Sequence, residues 1–303
     1  MPMGLLDDVR RAASNPAEAD YDQLVAWCHD QPPAGDHTGG EDFAWARRGV
    51  VPRSLEWMWQ LRHGRPTALQ RANRRYDVLT VETMRRALRP DSNCVDIGAA
   101  TGEILRFMRV LAPDGHHHAF EPIPIQAAEL RSRFPDVEVH ELALSDQGGE
   151  VDFFVVKDDP CISALRDPEN IRRLVGDTRI SDWDGQIRTI RVSARRLDDE
   201  LEDRGPIDFV KIDVEGAELA VLRGALRTLA EHKPTVVFEY SGESVEKLYG
   251  TTNVLDTLGE VGLCVYSLEG WIAGDPPIRP TEFPNKDPNN GFWNWMYVAH
   301  QPR

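Results

Sequence analysis

Three carboxylates at the ends of apolar runs are the residues of this chain best suited to chemistry. Asp213 and Glu215 follow the run FVKI, and Glu239 ends the run TVVFE. Were those runs neighbouring strands, the acids would share one crevice and could take the proton of an attacking hydroxyl. Asp213 and Glu239 also suit a divalent cation such as Mg²⁺, which prefers hard oxygen ligands and assists the same deprotonation. Glu215 is then the expected base. Glu218 reads equally well as a capping or solvated acid near a helix N-terminus. Lys211 is an ion-pair partner of these acids or a substrate contact.

A second group of residues has the pattern of a cofactor loop. VDIGAATGE, Val95 to Glu103, reads as a buried strand, a glycine-hinged turn and the start of a helix that continues from Ile104 to Leu111 with helical apolar spacing. Gly98 and Gly102 admit close backbone approach where a β-carbon would clash. The acid-G-x-x-x-G spacing differs from the G-x-G-x-x-G of dinucleotide enzymes and lacks the Gly-Lys-Ser/Thr of a phosphate loop. S-adenosylmethionine (SAM), which has an ammonium, a carboxylate and a sulfonium but no phosphate, fits such a loop better than NAD or ATP. Asp96 is the acid it needs. HHHAFEP, His116 to Pro122, reads as the next strand and ends in Glu121, placed to accept hydrogen bonds from both ribose hydroxyls.

The elements that must hold these residues alternate between strand and helix. The strand candidates are Cys94 to Ile97, His117 to Phe120, Val137 to His140, Phe209 to Ile212, Thr235 to Glu239, Cys264 to Leu268 and Trp295 to Ala299. Such alternation predicts a doubly wound α/β fold, a Rossmann-like parallel sheet with helices on both faces and ligands at the carboxyl ends of the strands. Residues 1–75 read as an N-terminal helical cap, broken by QPPAGDHTGGED at Gln31 to Asp42, and residues 76–303 as the main domain. After the third strand, SDQGGEVDFFVV begins a hairpin. Beyond it, about 158–186 is polar and turn-rich, the composition of a cover over a site or of a passive surface insertion.

VDIGAATG, AFEP, ELALSD at Glu141 to Asp146, and KIDVEGAE followed by Leu222 and Gly224 resemble, in order and spacing, the FkbM family of class I SAM-dependent O-methyltransferases. The resemblance covers roughly Tyr76 to the C-terminus. It implies a seventh, antiparallel strand, cofactor contacts from Ala99, Pro122, Ala143 and Leu144 besides Asp96, Gly98, Gly102 and Glu121, and a hydroxyl acceptor on a sugar or secondary metabolite. One departure is Ala100, where the family usually carries Asn or His, so a side-chain contact to SAM is lost there. Two rival readings are an NAD-dependent oxidoreductase and a SAM-binding protein without catalysis. The first lacks the right loop spacing and a Tyr-x-x-x-Lys pair, and the second has no need of Asp213 and Glu239.

Composition bounds the partners. A chain of 303 residues can bury a sizeable core, and a formal charge of −15 repels nucleic-acid phosphate. No segment has the length of a membrane span, and MPMGLLDDVRRAA lacks the apolar core of a signal peptide, so a cytoplasmic location is expected. The four cysteines are far apart and read as reduced thiols. Composition does not indicate an oligomeric state. His116, His117 and His118 look like a metal cluster, but adjacent strand residues point to opposite faces and cannot all hold one ion, so they read as strand lining. The arginines between Arg47 and Arg75, interleaved with Trp45, Trp57 and Trp59, suit a phosphate-bearing substrate or, more simply, docking of the cap onto an acidic core. Acceptor recognition is expected from Gln31 to Asp42, Asp158 to Gln186 and Asn285 to Trp295.

Overall fold

The computed structural model describes residues 68–156, 187–240, 254–283 and 296–302, with side chains from Tyr76 onward. Residues 47–67 of the Arg/Trp-rich stretch, the loop 31–42 and the segments 158–186 and 285–295 lie outside the described residues.

Short runs that are apolar on both sides form the strands of a doubly wound sheet because helices cover both faces. β1 (Cys94–Ile97) pairs in parallel with β2 (His117–Phe120) and with β7 (Phe209–Ile212), and β3 (Glu138–His140) adds beyond β2. On the other side β7 pairs in parallel with β8 (Thr235–Glu239), and β10 (Met296–His300) inserts antiparallel between β8 and β9 (Cys264–Ser267). The resulting order is β3-β2-β1-β7-β8-β10-β9.

Alternate strand residues build two cores. Cys94, Phe209, Val237 and Val298 pack under α1 (Ala68–Ala87), α2 (Glu103–Leu111), α3 (Pro124–Arg133) and α8 (Leu268–Ala273). Val95, Ile97, Val210, Ile212 and Phe238 pack under α5 (Glu218–Arg223), α6 (Leu226–His232) and α7 (Val254–Glu260). Phe209 and Phe238 are fully buried, each worth about 1.5–3 kcal/mol of transfer free energy. β9 stops before Leu268 because the Ser267 hydroxyl accepts from the Gly270 N–H at 3.0 Å and starts α8. Asp198, in the short helix α4 (Leu197–Glu200), caps α6 from outside, accepting from the N–H groups of Arg227 at 3.1 Å and Thr228 at 2.8 Å.

Position 75 lies inside α1, which is anchored to the domain. Buried Glu82 pairs with Arg85 and Arg86 at 2.8 and 2.7 Å, and Arg86 donates to the Ile272 carbonyl of α8 at 2.6 Å. The hairpin is present as β5 (Gly149–Val156) and β6 (Ile187–Arg195), which pair from Gly149↔Ala194 to Val156↔Ile187. β6 also carries the two-residue strand β4 (Ala143–Leu144), giving a second sheet of order β4-β6-β5. The insertion therefore leaves and re-enters the fold at one paired position.

Two turns need special backbone. Gly98 has φ +74°, and a β-carbon there would collide with the Asp213 carbonyl. Gly102, φ +79°, would collide with Phe134 and Leu130. The close approach these glycines permit is thus between parts of the protein itself. After β7, Glu215 (φ +52°) and Gly216 (φ +98°) are both left-handed. Glu218 holds that turn, accepting from the N–H groups of Val214 at 3.3 Å and Gly216 at 2.7 Å. It is fully buried, so the solvated reading of this acid is replaced by a turn-tying one.

Burial pushes the Glu218 carboxyl up to about 7, against the pull of those amides. The folded chain thus keeps this proton to higher pH than the unfolded chain, which releases it near 4.3. The group's contribution to stability is full below about pH 4 and declines as pH rises to about 7. Gln keeps the acceptor oxygen without the charge. Glu218→Gln should therefore raise the melting temperature, measured by circular dichroism, more at pH 8 than at pH 5; an equal shift at both would show that charge burial is not the cause.

Candidate active site

At the carboxyl end of β1 and β7 the register sets Asp96 beside Lys211. Lys211 Nζ is 3.5 Å from Asp96, 3.4 Å from Asp213 and donates to the Gly98 carbonyl at 3.1 Å. Burial pulls its pKa down, but Asp213 and Asp96 outweigh that and hold it above the ordinary lysine value. Lys211 is the ion-pair centre of the site. Asp96 is 1% exposed, and neither of its oxygens has a hydrogen bond among the described residues. Burial pushes its carboxyl up and Lys211 opposes that.

Glu121 follows β2 and is 4% exposed. Its two oxygens accept from the N–H groups of Ala100 and Ile123, each at 2.9 Å, which aims the carboxylate while leaving a lone pair on each oxygen. Burial raises its pKa and those amides counter the rise. Ala100 sits at φ +45°, a left-handed position that costs an alanine about 1–2 kcal/mol and that Asn tolerates better.

Two cavities meet over these residues, with Gly98, Ala100, Asp213 and Glu215 lining both. The smaller, about 50 Å³, is largely apolar; Phe120, Ile123, Leu142, Leu144 and Phe153 line it with Glu121 at its rim. The larger, about 330 Å³, holds Asp96, Lys211 and Glu239, with Asp77 and Thr80 reaching in from α1. Asp213, Glu215 and Glu239 each offer an oxygen within 4.8 Å of the others. Burial first, then Glu215, Asp213 and Glu218, push Glu239 well above the usual carboxylate range.

Most residues singled out in the sequence converge here. Pro122, Ala143 and Leu144 line the apolar cavity, Ala99 the polar one, and Gly102 lines neither. Phe153, Ile123, Gln126, Asp77, Thr80 and Met296 were not anticipated. For Phe153 a signal exists, since Val151, Phe153 and Val155 alternate along β5 and pack inward. Asp77 and Thr80 carry none, because a helix outside the alternating core gives no hint of what it overhangs. The donor set fits SAM: a buried carboxylate without hydrogen bonds for an ammonium, an aimed carboxylate beside an apolar slot for a ribose and its base, and a polar chamber adjoining both.

The model of the methyltransferase FkbM domain matches residues 96–262. The 2-O-methyltransferase NoeI of Sinorhizobium fredii is 30% identical over 209 residues, covering 64% of this chain and 82% of that protein. The 31-O-demethyl-FK506 methyltransferase FkbM of Streptomyces tacrolimicus is 30% identical over 157 residues, covering 45% of this chain and 60% of that one. A solved structure of methyltransferase FkbM from Methylobacillus flagellatus aligns with 93% of this chain and 58% of its own at 16% identity and a TM-score of 0.42. With more than half of its length inside the family model, the chain belongs to the FkbM methyltransferase family.

Proposed function

We propose that this protein transfers the methyl group of SAM to a hydroxyl of a small molecule, a sugar or a secondary metabolite. The observation that carries the reading is the junction of the two cavities. An adenosine in the apolar slot beside Glu121 puts the other end of the cofactor in the chamber that holds the acids. The names of two relatives, with transfer at a 2-O and a 31-O position, support a hydroxyl acceptor. An oxidoreductase has no support in the family match, and a passive SAM binder would not need three clustered acids.

SAM supplies an electrophilic methyl on a sulfonium. Glu121 would accept from the ribose hydroxyls with the lone pairs that the Ala100 and Ile123 amides leave, and Asp96 would hold the ammonium. Lys211 fixes Asp213 on one side of the chamber. Burial and the neighbouring acids raise the proton affinity of Glu239, so it is the base that takes the acceptor's proton as its oxygen attacks. Glu215, held left-handed at the tip of its turn, flanks the acceptor. The same three carboxylates are a donor set for Mg²⁺, which would assist that deprotonation.

Glu121→Ala should weaken SAM binding by about 1–3 kcal/mol in calorimetry. Unchanged affinity in the folded variant would remove Glu121 from the site. Gly98→Val is the poorer test, since its side chain meets the Asp213 backbone before any ligand.

Glu239→Gln should lower turnover about 10²–10⁴-fold while SAM affinity holds. Because a base must be unprotonated, wild-type turnover should rise with pH through the elevated Glu239 pKa, and the variant should lose that limb. Activity lost on exhaustive chelation and restored by Mg²⁺ would assign the triad to a cation; activity that survives leaves the carboxylates acting directly.

Acceptor selection is assigned to the insertion and the segments flanking the chamber. Since Val156 and Ile187 pair directly, residues 157–186 can be replaced by a two-residue turn. The shortened enzyme should keep its SAM affinity and lose acceptor turnover. Wild-type turnover on the true acceptor would make the insertion a passive surface element.

A further inference from the structure

Away from the two cavities, the edge of the main sheet gathers three imidazoles and a carboxylate. Strand alternation sends His117 to one face, where its ring nitrogen Nε2 bonds the Ala112 carbonyl at 2.9 Å, and sends His116 and His118 to the other. On the neighbouring strand Glu138 and His140 stand on that same face, in register with His118 and Phe120. No single stretch of sequence contains this group; it forms only when β2 and β3 pair.

Its spacings are those of a coordination shell. His118 Nδ1 is 3.2 Å from His140 Nε2, and Glu138 lies 3.7 Å from His118, 3.8 Å from His140 and 3.9 Å from His116. Ligands about 2.0–2.1 Å from a tetrahedral Zn²⁺ stand about 3.3 Å apart, so modest side-chain rotation closes the shell. His116, His118 and Glu138 already present donor atoms within 4.8 Å of one another. We propose that His116, His118, Glu138 and His140 bind a divalent transition ion of the Zn²⁺ class.

The surroundings suit that role. Glu200 Oε2, 3.9 Å from His140 Nδ1, favours the tautomer with its proton on Nδ1, which leaves Nε2 to ligate. Arg204 orients Glu138 by holding Oε2, the oxygen nearest His116 and His118, at 2.9 Å, and Oε1 faces His140. His116, with two-thirds of its side chain exposed, gives the ion a way in. Imidazole-rich donors select Zn²⁺ and its neighbours over Mg²⁺, which separates this site from the all-carboxylate triad.

The test uses the full chain, freed of metal by chelation and titrated with Co²⁺, whose visible absorption reports tetrahedral nitrogen ligation, with Zn²⁺ as competitor. One equivalent should bind with a tetrahedral spectrum and be displaced by Zn²⁺. His116→Ala, at an exposed position, and Glu138→Gln should each weaken binding by about tenfold or more, with circular dichroism unchanged. Asp213→Asn/Glu239→Gln should bind as the wild type does. Absence of saturable binding, equal affinity in the His116→Ala and Glu138→Gln proteins, or loss of binding in the Asp213/Glu239 variant would each overturn the proposal.

Discussion

The buried ammonium of Lys211 is the interaction on which the rest of the site depends. A charge taken out of water is tolerated only when opposite charge and hydrogen bonds replace the lost solvation, and Lys211 finds Asp96, Asp213 and the Gly98 carbonyl within 3.5 Å. Those partners come from the ends of β1 and β7 and from the cofactor loop. One side chain therefore sets the distance between the Gly98 loop after β1 and the turn that bears the acids. Removing it would leave Asp96 buried and uncompensated, a change of several kcal/mol by general experience with buried pairs.

The acids beyond that pair are in excess over the nearby positive charge, and the excess raises their proton affinity. Glu239 and Glu218 both hold their protons above the ordinary range because burial and like charges oppose ionisation. In the folded chain this repulsion reduces stability at neutral pH. It is contained by local devices: Glu218 is pinned by two turn amides, and the left-handed Glu215 beside Gly216 keeps the turn narrow. A fold selected only for stability would have little use for four carboxylates at two neighbouring strand ends.

Much of this was legible in the sequence because both faces of the main sheet are covered. Strands such as CVDI and FVKI read as short apolar runs with a misplaced acid or lysine, and the misplaced residue in each case lines the larger cavity. What could not be read depends on pairing across the chain. Asp96 and Lys211 meet only through the β1–β7 register, and the histidines meet Glu138 and His140 only through β2–β3. Glycine patterns were legible as tight turns but not in their cause, since Gly102 makes room for Phe134 rather than for a ligand. The end of β9 was misjudged by one residue because the Ser267 cap outweighs the strand preference of its apolar neighbours.

The clasp between Val156 and Ile187 has a consequence for how such a chain can diverge. Once a hairpin holds both ends of an insertion together, lengthening what lies between them adds only the logarithmic entropy of a larger closed loop, about 0.6 kcal/mol for each doubling. The main sheet bears none of that cost, because the hairpin pairs with β4 in a separate sheet and, among the described residues, shares no ladder with the main one. The segment between Val156 and Ile187 can thus change in length or sequence while the pairing of β5 with β6 stays under separate constraint.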